Sequence, residues 1–279
     1  MRLGIFAKTF VRPSLEATLD AVMSHGLDCV QFNMACAGLP SMPEEIPAEV
    51  CERIQREMSA RQIDMAAVSG TFNMIHPDAD KRRQGLRLLR VLAEACATLD
   101  TDIITLCTGT RDPENMWRAH PDNDTPEAWG DLEASMAEAL QIAADADVVL
   151  ALEPETANVI DTVTKAAELL RVMSSPRLKV VIDPANLFHR GEIFRMHDML
   201  REAFDVLGAD IVLAHAKDID AHGQHVAAGK GLLDYDCYLE WLRKVGFAGP
   251  LLVHGLDEAE VGECLSVLRK KTLGYREPK

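Results

Sequence analysis

The sequence lacks any apolar run of about 18 residues, so no segment is expected to cross a bilayer as a helix. Its start, MRLGIFAKTFVRPS, has neither the longer apolar stretch nor the small-residue cleavage site of a secretory signal. It is short of positive charge: 29 Lys and Arg stand against 44 Asp and Glu, a formal net charge of −15. That balance argues against a broad basic footprint for nucleic acid or an anionic membrane, while leaving room for a local basic pocket. No CxxC pair occurs among Cys29, Cys36, Cys51, Cys96, Cys107, Cys237 and Cys264. Their number is odd and they are scattered, which reads as reduced, mostly buried thiols of a cytoplasmic protein. No low-complexity tract or linker divides the 279 residues, and α/β barrels reach this length as one unit, so a single domain, 1–279, is expected.

What is present is a repeated pattern. Short β-branched apolar runs recur at 3–6, 28–33, 63–69, 102–107, 148–153, 179–183, 211–216 and 250–254. Continuous apolar runs this short fit strands buried on both faces, as in parallel sheets. Amphipathic segments alternate with them at 14–25, 44–61, 79–99, 126–146, 160–174, 192–207, 235–246 and 258–271. Ser14 and Thr125-Pro126 are helix start signals, and Gly26 and Gly246 stand where helices should stop. Eight such units, with no GxGxxG after the first strand, favour an α/β fold closed as a (β/α)8 TIM barrel over an open doubly wound sheet. Two connections, 108–125 and 217–234, are too long to be simple turns and read as binding loops on the barrel's C-terminal face.

Barrel active sites form at the C-terminal strand ends. Here those ends carry Glu153, Asp183, His215 and His254 on four successive strands. A lone buried carboxylate is costly unless paired or coordinated. Two carboxylates and two imidazoles converging on one mouth predict a divalent cation, with Mn, Zn, Co or Fe better suited than Mg.

The stretches HPDADKRRQG (76–85), ALEPETANVIDT (151–162), VVIDPANL (180–187), VLAHAKD (212–218) and 229–255 resemble the xylose isomerase-like TIM barrel superfamily of sugar phosphate isomerases and epimerases. In the epimerases of that superfamily a Glu, an Asp, a His and a second Glu hold one divalent metal. Glu153, Asp183 and His215 match the first three. His254 stands where the second Glu belongs, and the Asp-x-x-His motif reads Asp183-Pro184-Ala185-Asn186. The resemblance implies a metal-dependent isomerase or epimerase acting on a keto-sugar, sugar phosphate or related polyol through an enediolate, in a homodimer or homotetramer. Glu153 is the first choice of base, and His254 the second acid/base or a ligand. A related keto-sugar lyase and a catalytically silent carbohydrate-binding barrel are the alternatives. An endonuclease IV-like phosphodiesterase is disfavoured by the negative charge and the single ligand set.

Further candidates for the sugar substrate are Lys8 at the end of strand one, His76 after strand three, Trp117 and His120 in the long fourth loop, Glu155, Asn186, Lys217 and Asp218. A tryptophan over a sugar site offers its face to the apolar side of the ring. His222 and His225 read as exposed loop histidines, and Gly229-Lys230-Gly231 as a structural turn.

Overall fold

The computed structural model describes residues 1–189 and 191–272. Arg190 and residues 273–279, which the sequence reading places in the same domain, lie outside the described residues. Eight parallel strands close on themselves: β1 (Leu3–Phe6), β2 (Cys29–Phe32), β3 (Asp64–Ser69), β4 (Ile103–Leu106), β5 (Val149–Leu152), β6 (Leu178–Ile182), β7 (Ile211–Ile219) and β9 (Leu251–Val253). Each pairs with the next, β7 pairs with β9, and β9 pairs with β1, so the barrel leaves no open edge. The helices are α1 (Leu15–Ser24), α2 (Ala48–Ala60), α3 (Ala79–Leu99), α4 (Pro126–Asp145), α5 (Val163–Met173), α6 (Met196–Leu207), α7 (Tyr235–Lys244) and α8 (Glu258–Thr272).

The start and stop signals act as their chemistry predicts. The Ser14 hydroxyl accepts from Ala17 N, and the Thr125 hydroxyl from Ala128 N with Pro126 in the first turn. Gly26 and Gly246 end their helices at φ +67° and +72°. Helix α2 starts four residues later than the apolar pattern suggests, at Ala48, because Pro47 precedes its first turn in an extended conformation. The second long connection is also shorter than expected. Strand β7 runs on through Ile219, and β8 (His225–Ala227) pairs back onto it antiparallel, Lys217 opposite Ala227. Residues 217–219 and 225–227 therefore form a hairpin arm rather than a loop.

Two cores follow from the alternation of strand side chains. One packs between strands and helices and includes Ile5, Val30, Phe32, Val68, Ile104 and Leu150. The other fills the barrel floor with Cys29, Ala67, Ala151, Val181, Leu213 and Leu252. The residues two positions beyond these point into the barrel one layer higher, and they are the polar ones.

Candidate active site

From Cys29 the alternation leads to Gln31, from Ala151 to Glu153, from Val181 to Asp183, from Leu213 to His215 and on to Lys217, and from Leu252 to His254. Above a floor of apolar side chains the barrel thus carries a buried polar layer. The three ring-bearing side chains of its β1–β9–β7 side are stacked: Phe6 on His254 at 5.2 Å and 10°, and His254 on His215 at 4.8 Å and 12°. The β7 backbone that presents this layer is held from outside by α7. Tyr238 Oη donates to His215 O at 3.1 Å, and Tyr235 Oη to Lys217 O at 2.9 Å.

Asn186 is the hub of the carboxylate side. Its Nδ2 donates to Glu153 Oε1 at 2.7 Å and to Glu155 Oε1 at 3.0 Å, while its Oδ1 accepts from Lys217 Nζ at 2.8 Å. Lys217 Nζ also forms an ion pair with Asp183 Oδ2 at 3.0 Å. His215 Nδ1 faces Glu153 Oε1 at 3.5 Å and Asp183 Oδ2 at 3.6 Å.

This packing divides the protonation behaviour. Burial pushes the Glu155 carboxyl up, the nearby Glu153 charge pushes it further, and it reaches about 7. For Glu153 and Asp183 burial is outweighed by the cations, His215 first for Glu153 and Lys217 first for Asp183, so both are held below the usual carboxylate range. Burial lowers the Lys217 ammonium, but Asp183, Glu153 and Glu155 outweigh it and hold the charge in place. Burial lowers His254, the positive charges of His215 and Lys217 add to it, and the imidazole falls to about 3 and stays neutral.

The donor set fits a divalent cation. Asp183, His215 and His254 all present buried ligand atoms: Asp183 Oδ2 is paired with Lys217 and faces His215 Nδ1, while His254 Nδ1 takes no hydrogen bond. Ligand atoms from these three residues all lie within 4.8 Å of one another. Buried polar atoms without partners are costly, and one carboxylate with two imidazoles suits a borderline transition metal. Glu153 stands beside the three, in reach of His215, with one oxygen held by Asn186.

Over this layer lies a cavity of about 390 Å³ whose walls include Lys8, Glu153, Glu155, Trp117 and His254. Trp117 is 53% exposed, at the tip of the loop after β4. Other sequence candidates sit elsewhere. Asp218 is fully buried, and its carboxylate accepts from the backbone N–H groups of Ile219, Gly229 and Leu233, so it folds the segment after β7 rather than facing the cavity. His76 contacts Pro113 O through Nε2 and accepts from Asp78 N through Nδ1, and His120 accepts from Asp122 N. Both shape loops and neither lines the cavity. Asn186 and Lys217 lie beneath the cavity wall, with their polar atoms turned to the carboxylates. Conversely, Gln31, Asn33, Ser69, Thr71 and Thr105 line the cavity and were not singled out by sequence. For Gln31, Ser69 and Thr105 the available signal was a polar residue inside an otherwise apolar run.

The loop after β4 is rigid at its root. Asn73 Nδ2 donates to Thr110 O at 2.8 Å and its Oδ1 accepts from Thr110 N at 3.1 Å. The Asn123 carbonyl accepts from Thr110 Oγ1 and Arg111 N, and its Nδ2 donates to Ala157 O. Gly109 sits at φ +78° against the Asn73 side chain, where a Cβ has no room. The tip that carries Met116 and Trp117 is thereby aimed over the mouth.

A closed parallel (β/α)8 barrel with carboxylates and imidazoles at its C-terminal mouth defines a class of small-molecule enzyme scaffold. Within that class, residues 19–271 match the family model for the xylose isomerase-like TIM barrel, and the chain belongs to that family. It is 23% identical over 199 residues to the L-ribulose-5-phosphate 3-epimerase UlaE of Shigella flexneri serotype 5b (strain 8401), covering 71% of this chain and 65% of that protein. The match thus spans less than two thirds of that relative's length. Among solved structures, the apo 3-keto-D-glucoside 4-epimerase YcjR from E. coli superposes with a TM-score of 0.74 at 17% identity, covering 97% of this chain and 99% of that one. An IolI protein with a bound zinc atom superposes with a TM-score of 0.72 at 18% identity, covering 98% and 97%.

Proposed function

We propose that the protein is a divalent-metal-dependent isomerase or epimerase of a keto-sugar, sugar phosphate or related polyol. The observation that carries this reading is the meeting of three clustered, buried ligand atoms, from Asp183, His215 and His254, with two differently tuned carboxylates, Glu153 and Glu155, at one cavity. The family membership supports it, as do the sugar-epimerase relatives and the zinc of the IolI structure. Asp183, His215 and His254 would hold the cation, with Glu153 beside them. When bound, it supplies electrophilic stabilisation of negative charge growing on a nearby oxygen.

The chain's own groups move the proton. Glu153 is ionised and fixed by Asn186, so it is the base that removes the hydrogen next to the substrate carbonyl. Proton loss there leaves an enediolate. Glu155, at about 7, is able both to give and to take a proton at neutral pH, and it lines the same cavity. It is a second acid/base beside Glu153, since both carboxylates accept from Asn186 Nδ2, with His254 kept as a neutral ligand. Lys217 holds its charge against Asp183 and Glu155, which lets two carboxylates and an imidazole share one buried site. Trp117 covers the mouth and offers a face to the substrate's apolar side.

The test is incubation of metal-loaded protein with a panel of keto-sugars and their phosphates in D₂O. Deuterium at the carbon next to the carbonyl supports the proposal. Elimination of water instead points to the lyase reading. No exchange and no turnover with any substrate or metal would overturn it in favour of a silent binding barrel.

A further inference from the structure

The floor of the mouth contains a polar bridge for which a sugar-binding role gives no account. Gln31 lies in β2, whose four residues are all buried. Its Oε1 is 2.8 Å from His215 Nε2, and its Nε2 donates to Thr105 Oγ1 at 3.1 Å. None of the strands involved, β2, β4 and β7, is a neighbour of another in the sheet, so the amide spans the barrel interior. Gln31, Thr105 and His215 are 4%, 3% and 0% exposed. A buried glutamine is costly unless both ends of its amide are satisfied, and here the two ends are spent on a ligand histidine and on an anchor for the amide.

We infer that Gln31 is the positioning residue that, once a cation takes the place of the Nδ1 proton, fixes the His215 imidazole with its remaining proton on Nε2 and its Nδ1 lone pair on the metal cluster. The inference rests on reading the mouth as a metal site. The carbonyl oxygen of Gln31 only accepts, so the ring nitrogen facing it donates. The other ring nitrogen is Nδ1, which faces Glu153 Oε1 at 3.5 Å and Asp183 Oδ2 at 3.6 Å. Stacking against His254 at 4.8 Å resists rotation of the ring out of this plane. Thr105 anchors the far end of the amide, and a reversed amide would set its N–H₂ against the Nε2–H of a ligating imidazole. Ligand histidines generally need such a partner on the second nitrogen, and losing it typically weakens metal binding by about 10–100-fold.

The experiment titrates metal-free protein with Zn²⁺, and separately with Mn²⁺, for wild type, Gln31→Leu, Gln31→Glu and Thr105→Val, with circular dichroism as the check on folding. Gln31→Leu is expected to bind zinc about 10–100-fold more weakly, Gln31→Glu to restore affinity through its acceptor oxygen, and Thr105→Val to fall between. In the zinc-loaded wild type, ¹⁵N imidazole spectra are expected to show His215 protonated on Nε2 with Nδ1 shifted by the metal. A folded Gln31→Leu protein that binds both ions as tightly as wild type overturns the inference and leaves the metal site standing. So does zinc on Nε2, which can be read from wild type alone if Gln31→Leu does not fold. A wild type that binds neither ion overturns the metal reading and this inference with it.

Discussion

Lys217 Nζ sits 3.0 Å from Asp183 Oδ2, with side-chain exposures of 5% and 0%. The pair lies among Glu153, Glu155 and the Asn186 carbonyl, so it is the counter-charge of the whole mouth rather than an isolated bridge. Breaking a buried pair on one side leaves a charge uncompensated and typically costs about 3–5 kcal/mol. Lys217→Met is therefore expected to lower metal-free stability by about that amount, read as a fall in the denaturant midpoint. The double variant Lys217→Met/Asp183→Asn is expected to regain part of the loss. A single variant as stable as wild type would show that the pair carries no such burden.

The root of the loop after β4 makes a second prediction. Gly109 adopts φ +78°, and an added Cβ would collide with the Asn73 side chain. Gly109→Ala is expected to destabilise by more than about 1 kcal/mol, since alanine resists positive φ and the asparagine is also clamped to Thr110. Thermal unfolding would show this as a fall of at least about 2–4 °C. An unchanged Tm would mean that the loop root is looser than its hydrogen bonds indicate.

Trp117, half exposed on the tip of that loop, should behave in the opposite way. Trp117→Ala is expected to leave stability within about 0.5 kcal/mol of wild type, as for exposed positions generally. If the indole covers bound substrate, KM is expected to rise about 2–10-fold, the equivalent of one aromatic contact. A loss of stability without any change in KM would assign Trp117 to the loop's own packing.

Much of this architecture is legible in the sequence because it rests on local chemistry. The short Val/Ile-rich runs, Ser14, Thr125-Pro126 and the two terminating glycines mark strands and helix ends through contacts within a few residues. The strand-end residues Glu153, Asp183, His215 and His254 are legible for the same reason: alternation along a strand needs no knowledge of its partners. The contacts that set the roles of Gln31 and Asn186 join segments distant in sequence. Gln31 reaches His215 across 184 positions, and Asn186 reaches Glu153 across 33. Asp218 reads as a ligand-side carboxylate until three backbone N–H groups are seen to occupy its oxygens. His76 and His120 likewise read as mouth residues only because a histidine's local sequence does not reveal which turn it stabilises.

The acidic surface gives a prediction in pH. Hydrogen bonds from Arg53 hold the Glu16 carboxyl down at about 2, from an ordinary value of 4.5. A depressed carboxylate stabilises the fold above its unfolded value, so this contribution is present above about pH 4.5 and lost as pH falls towards 2. Both side chains are more than a third exposed, so the pair is worth well under about 1 kcal/mol. Denaturation of wild type and Arg53→Met is expected to differ slightly near neutrality, with the gap closing by about pH 2. A gap that widens in acid would contradict the sign.

The most direct test of the account is the metal stoichiometry of the purified protein, measured by elemental analysis after loading with Mn²⁺ or Zn²⁺ and removal of free ion. One divalent ion per chain in wild type is expected, lost in Asp183→Asn. A wild type that retains no ion, or an Asp183→Asn protein that retains it as tightly as wild type, would contradict the assignment of Asp183, His215 and His254 as a metal centre.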